Sequence, residues 1–241
     1  MRARHRHFNP RFAGADLVLD SRYINQSDNT AVSTWSDRSG NGFDATQANA
    51  TNQPTFQAGE QGGNGGVDFD GTNDFMIGTY NPTAVPRTVH SVFKSDVTDV
   101  RNIFQVPQTP NQSSWNARWG LSSGNFFISG DGTTTNQRLS VTPSGATSAK
   151  IGSWSSDSSR NVSMEVDGAT QTVLDNPPVA TSTPTTNGYR LGEIGYTAAS
   201  SIQQWNGLIF SVHSWQNEQI AASLRKRCEH ASAFSFKIAC S

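Results

Sequence analysis

Charge is what this chain has least of. Asp, Glu, Lys and Arg make up 15% of its 241 residues and the formal net charge is -1, which excludes the strongly basic face that a nucleic-acid binder carries. Cysteine is almost absent. Cys228 and Cys240 both lie close to the end of the chain, whereas a disulfide scaffold spreads paired cysteines along a shorter sequence. They read as thiols made in a reducing compartment, with a late bridge between them left open. No apolar run approaches the roughly 20 residues of a helical membrane span. His5 and His7 lie near the start while His90, His213 and His230 stand apart, so the histidines form no ligand set. Walker loops, zinc spacings and a Ser/His/Asp order are likewise missing. No repeat of about 20 to 50 residues is visible, which sets aside propellers and solenoids.

What is present is turn chemistry. The 21 glycines and 10 prolines sit among abundant Ser, Thr, Asn and Gln, the profile of short strands joined by many turns with polarity supplied by hydroxyls and amides. A chain of this length buries roughly 70 to 75% of the surface its unfolded form exposes, so its core needs neither disulfide nor metal. One all-β domain is expected over residues 15–228, preceded by a basic arm at 1–14 and followed by a tail at 229–241.

Strand candidates recur every 8 to 12 residues or so, from Ala15–Asp20 through Thr88–Lys94 and Lys150–Trp154 to Leu208–Trp215. The clearest hairpin joins Asn161–Val166, where Val162, Met164 and Val166 alternate with polar residues, to Thr170–Leu174 through Asp167-Gly168. One amphipathic helix is predicted from the N-cap Asn217, with Ile220, Leu224 and Cys228 on one stripe and Arg225, Lys226 and Arg227 toward its end.

Two stretches carry a family resemblance. The run Val32-Ser33-Thr34-Trp35-Ser36-Asp37-Arg38-Ser39-Gly40-Asn41-Gly42-Phe43-Asp44-Ala45-Thr46-Gln47, then Gln53-Pro54-Thr55 and Val67-Asp68-Phe69-Asp70-Gly71-Thr72-Asn73-Asp74-Phe75, resembles the opening of laminin-G-like domains in the concanavalin A-like lectin and glucanase superfamily. Gly207–Val212 and the helix after it resemble that family's last core strand and closing helix. Between Val106 and Asn187 only the strand rhythm matches. The resemblance implies a jelly-roll sandwich of two curved antiparallel sheets. Val18 stands where the family usually has Trp, and the tail after Cys228 runs past the usual end. Members of the superfamily include secreted glycan binders, glucanases and structural proteins of tailed bacteriophages, and fold alone does not choose among them.

Candidate chemistry is sparse. Retaining glucanases need two carboxyls roughly 5 to 5.5 Å apart; Glu165 and Asp167 come nearest, but the Asp167-Gly168 turn already accounts for Asp167, and no enzyme is expected. Asp68, Asp70 and Asp74, with Asn73, cluster oxygens of the kind Ca²⁺ prefers, although Thr79 at the twelfth position offers no bidentate carboxylate. No cofactor is expected beyond that one candidate ion. Trp115, Trp119 and Trp205 are candidates for a sugar-stacking platform, against the ordinary reading of strand aromatics as core.

The ends are more unusual. Arg2, Arg4, Arg6 and Arg11 make a basic arm with no apolar stretch after it, so it does not read as an export signal. Phe234, Phe236 and Ile238 alternate as an extra strand able to pair with a neighbour's sheet edge. With the resemblance, these ends point to a virion structural protein of a tailed bacteriophage, a capsid decoration or accessory head or tail protein. Made in the host cytoplasm, it would be held by its termini against capsid or tail subunits or further copies of itself. The alternative is a lectin-like module that binds cell-surface or matrix polysaccharide, a host glycan among them. Neither reading calls on nucleic acid or membrane.

Overall fold

The computed structural model describes residues 14–80, 87–97, 100–109, 112–120, 126–130, 137–140, 148–157, 162–170, 172–173, 188–193, 204–216, 232–233 and 236–238. They form two nine-stranded antiparallel sheets. The first runs β15 (Ala169–Thr170), β14 (Val162–Val166), β13 (Lys150–Ser156), β8 (Arg87–Ser95), β18 (Asn206–Gln216), β6 (Asn64–Asp70), β5 (Thr55–Gln61) and β2 (Thr30–Ala31), with β1 (Leu17–Asp20) also on β18. The second runs β16 (Thr172–Val173), β12 (Gln137–Ser140), β11 (Phe126–Gly130), β10 (Gln112–Gly120), β9 (Val100–Thr109), β17 (Tyr189–Leu191), β7 (Met76–Gly78), β4 (Ala45–Thr46) and β3 (Thr34–Trp35). The expected all-β sandwich is therefore the observed architecture.

Alternation sets the core. Val67 and Phe69 of β6 point inward while Asp68 between them is half-buried, and Leu17 and Leu19 of β1 do the same beside them. With Trp35, Tyr80, Phe93, Trp154, Tyr189 and Trp205 they fill the space between the sheets. The expected hairpin turn is present, with Asp167 and Gly168 at φ 49° and 84° and Val166 paired with Ala169, but its second arm is shorter than Thr170–Leu174. It ends at Thr170, and Thr172–Val173 pair with β12 in the other sheet.

β18 breaks the alternation, with nine consecutive buried residues from Gly207 to Trp215. A strand with both faces covered reads as a continuous apolar run, and its outer cover comes from the C-terminal segment. Phe236, 1% exposed, packs on Phe210 with ring centroids 5.4 Å apart and joins Val92, Ile151 and Leu208 in a second apolar cluster. The Phe236 carbonyl accepts from Gln61 Nε2 at 2.8 Å. Under the same cover His90 stacks on His213 at 5.9 Å and hydrogen-bonds Ser153 Oγ at 2.8 Å and Ser232 Oγ at 2.9 Å.

The tail is not the extra strand that the alternation of Phe234, Phe236 and Ile238 suggested. Ser232, Ala233 and Phe236 have helical backbone. Lys237 turns left-handed at φ 52° and Ile238 N–H donates to the Ala233 carbonyl at 3.0 Å, the Schellman geometry that ends a helix. Phe236 is thus held within its own chain and is no free edge for a neighbour. The arm residues Arg2, Arg4, Arg6 and Arg11, together with Phe234, Cys228, Cys240 and the helix predicted from Asn217, lie outside the described residues. Among the described residues, no helix is long and apolar enough to cross a membrane.

Candidate functional site

Of the three tryptophans considered as a sugar platform, the structure decides one. Trp205 is 1% exposed and meets Phe93 edge-on at 5.7 Å, so it is core and no sugar can reach it. Trp35, Trp154 and Trp215 are buried as well. Trp115 and Trp119 sit on β10, and their side chains lie outside the described set.

The acidic loop is a closure device. Asp70 Oδ1 accepts from the backbone of Thr72 at 2.8 Å and Asn73 at 3.1 Å, while Asp74 Oδ2 accepts from Asp70 N–H at 3.0 Å. These are the turn bonds that Asp makes with its own neighbours. Burial, with the charges of Asp96, Asp74 and Glu60 adding to it, raises the Asp68 pKa to about 6. Burial also raises Asp74 to about 6, against the Asp70 backbone bond. Among the described residues no three His, Cys, Asp or Glu side chains converge as a metal site. Asp167 is tied to Lys150 Nζ at 2.8 Å and to Ile151 N–H at 2.9 Å, a structural use of that carboxylate.

An open cleft of about 180 Å³ lies instead where β1 meets the edge strand β3. Asp20, 2% exposed, caps a short 3-10 turn, Ser21–Tyr23. Its carboxylate accepts from Arg22 N–H at 3.0 Å and from Arg22 Nε at 2.9 and 3.0 Å. Ser21 Oγ donates to the Gly65 carbonyl at 2.6 Å. With Asp20 and Ser21 anchored inside, the turn presents Tyr23 outward at 44% exposure; Tyr23 and Ile77 are the exposed large hydrophobics among the described residues.

The opposite wall is built by the motif that carried the family resemblance. Asp37 Oδ1 accepts from Val18 N–H at 2.9 Å and Ser39 N–H at 2.8 Å, and Oδ2 from Ser39 Oγ at 2.6 Å and Phe43 N–H at 3.1 Å. Arg38 N–H donates to the Val18 carbonyl at 2.8 Å. The loop is thereby fixed to β1, and the Arg38 guanidinium lies over the Tyr23 ring at 5.1 Å with a long bond to the Tyr23 carbonyl at 3.4 Å. Asn25, Gln26, Thr34 and Ser36 supply amides and hydroxyls around the opening. Trp35 also lines it, its Nε1–H buried without a partner among the described residues.

An exposed aromatic face, a stacked guanidinium and uncharged hydrogen-bonding groups around a ring-sized opening suit recognition of a polar ring. No pair of free carboxylates for acid–base work lines this cleft, since Asp20 is clamped to Arg22. Sequence reasoning missed Tyr23. The Ser-Arg-Tyr triplet carries no motif, and only the burial of its neighbours makes its exposure informative.

Neither any protein-family model nor any curated protein matches the sequence. Among solved structures, Trypanosoma rangeli sialidase in complex with sialic acid is similar at a TM-score of 0.62 and 13% identity, covering 90% of this chain and 33% of the sialidase. The receptor binding domain of botulinum neurotoxin D is similar at 0.62 and 11% identity, covering 91% and 53%. The neurotoxin serotype D ligand binding domain in complex with N-acetylneuraminic acid is similar at 0.60 and 12% identity, covering 90% and 51%. The chain spans about a third of the sialidase and about half of the toxin domains. At these identities the likeness establishes the fold alone, a β-sandwich.

Proposed function

We propose that this chain is a carbohydrate-binding module without catalytic activity, and that its sugar site is the cleft between Tyr23 and Arg38. One observation carries the reading: Tyr23 stands exposed at the mouth of a cleft rimmed by amides and hydroxyls, while Trp35, Trp154, Trp205 and Trp215 are buried. The printed ligands of two similar structures, sialic acid and N-acetylneuraminic acid, support a glycan partner on this fold. The sialidase likeness covers a third of that enzyme and lends no support to catalysis here.

Attachment to a bacteriophage particle keeps the sequence of the basic arm as its support. It loses the tail, because Phe236 is buried in its own chain.

The test is binding of the purified chain to a panel of oligosaccharides, followed by calorimetry with Tyr23→Ala. Loss of an aromatic stacking partner worth about 1 kcal/mol weakens binding roughly fivefold or more. Because Tyr23 is exposed, the unfolding free energy stays within about 0.5 kcal/mol of the parent. A panel without any binder, or a Tyr23→Ala chain that binds as the parent does, overturns the assignment.

A further inference from the structure

We propose that the Tyr23–Arg38 cleft selects sugars bearing an anionic substituent, a carboxylate or a sulfate ester, and that Arg38 is the residue that reads it. This rests on the carbohydrate-binding reading above and narrows it to a ligand class.

The argument is one of charge left over. One cation, Arg38, lines the cleft, and a second, Arg22, stands on the turn beside it. Arg22 is committed to Asp20, held through Nε to both carboxylate oxygens. Arg38 enters no ion pair among the described residues. The nearest carboxylate in sequence, Asp37, already accepts from Val18 N–H, Ser39 N–H, Ser39 Oγ and Phe43 N–H. An ionised carboxylate offers about four lone-pair sites, so Asp37 is filled. Among the described residues the two carboxylates closest to the cleft, Asp20 and Asp37, thus have their oxygens turned to other donors, while Arg38 itself is exposed.

Geometry makes the leftover cation selective. The contact with the Tyr23 ring and the bond to its carbonyl hold the guanidinium at the cleft, and the backbone bond to Val18 fixes where the side chain starts. Arginine carries five N–H donors in a rigid fork, and one of them serves the Tyr23 carbonyl. A guanidinium lying over a ring keeps its donor edge free, and that edge matches the two oxygens of a planar carboxylate or of a sulfate. A sugar ring packed on the exposed part of Tyr23 places a ring substituent within reach of that edge, and neutral hydroxyls meet Asn25, Gln26, Thr34 and Ser36.

The experiment is calorimetry of the full chain with three matched tetrasaccharides, ending in a uronic acid, a 6-sulfated hexose or the neutral hexose. Each is titrated into the parent, Arg38→Gln, Arg38→Lys and Tyr23→Ala, with the thermal midpoint of every variant recorded. The parent is expected to prefer at least one anionic probe over the neutral one by about tenfold, and raised salt should narrow the preference. Arg38→Gln removes the preference and leaves neutral binding in place, Arg38→Lys keeps part of it, and Tyr23→Ala weakens all three probes. Which anionic probe ranks first identifies the source of the charge. Equal binding of all three probes by the parent overturns the anion selectivity and leaves the sugar site standing. A fall in neutral and anionic binding alike on Arg38→Gln also overturns it, because Arg38 then acts by holding Tyr23. Absence of any binding removes both this inference and the reading beneath it.

Discussion

Asp37 holds the cleft wall in place rather than meeting a ligand. Its two oxygens accept from Val18, Ser39 and Phe43, so Asp37→Ala strands three backbone N–H groups and frees the loop that carries Arg38. The expected result is a loss of about 2 kcal/mol in urea unfolding, together with loss of sugar binding. Gly188 is constrained differently. Its φ is +71°, and a Cβ there would stand 1.9 Å from the Gly78 carbonyl oxygen; Gly188→Ala should destabilise by more than about 3 kcal/mol, read from the same unfolding curves. At this scale the sequence was legible for Asp167-Gly168, whose turn chemistry is local. It was not legible for the aromatics. A tryptophan is ordinarily core, but which way a given ring turns depends on the partner sheet; Trp205, just ahead of β18, went inward against Phe93, whereas Tyr23 went outward.

Among elements, the strand rhythm was readable along most of the described chain, because alternation of period two needs only local information. Predicted Thr88–Lys94 and Leu208–Trp215 became β8 and β18 nearly residue for residue. The two-residue strands β2 and β3 were too short to show a period. The tail was misread for a related reason: Phe234, Phe236 and Ile238 alternate over five positions only, and the helix end there uses Lys237 rather than glycine in the left-handed position, so the usual C-cap signal is missing. Its docking is testable. Phe236→Ala removes the ring that covers Phe210. It is expected to cost about 3–5 kcal/mol and to speed amide hydrogen exchange along β18; unchanged exchange from Leu208 to Trp215 would show that the segment does not hold that face.

The whole molecule carries a pH dependence that its composition hides. Burial, helped by the neighbouring charge of His213, lowers the His90 pKa to about 3, and burial with the charge of Arg22 does the same for His213. Both are neutral in the folded state, whereas the unfolded chain protonates them below about 6.5. Stability therefore falls as pH drops from about 6.5 toward 3. Asp68 and Asp74, raised to about 6, work the other way, since between about 4 and 6 the folded state holds their protons. Asp74 is buried and Asp68 partly so, so between about 4 and 6 the two carboxyls offset most of what the two imidazoles lose. Urea midpoints should therefore fall only slightly between about pH 7 and 4, and His213→Gln, which removes one imidazole contribution of about 1 kcal/mol per pH unit, should reverse the trend so that stability rises with acid between about pH 6 and 4. The sandwich was foreseeable from strand spacing and turn residues, but the cleft was not, because it joins Tyr23 to Arg38 through the packing of β1 against the loop after β3. Its use as a sugar site is tested most directly by amide chemical shifts of the labelled chain during titration with a uronic-acid-terminated tetrasaccharide. The account predicts shifts concentrated at Tyr23, Asn25, Thr34 and Arg38; shifts confined to β10, or none at saturating sugar, would contradict it.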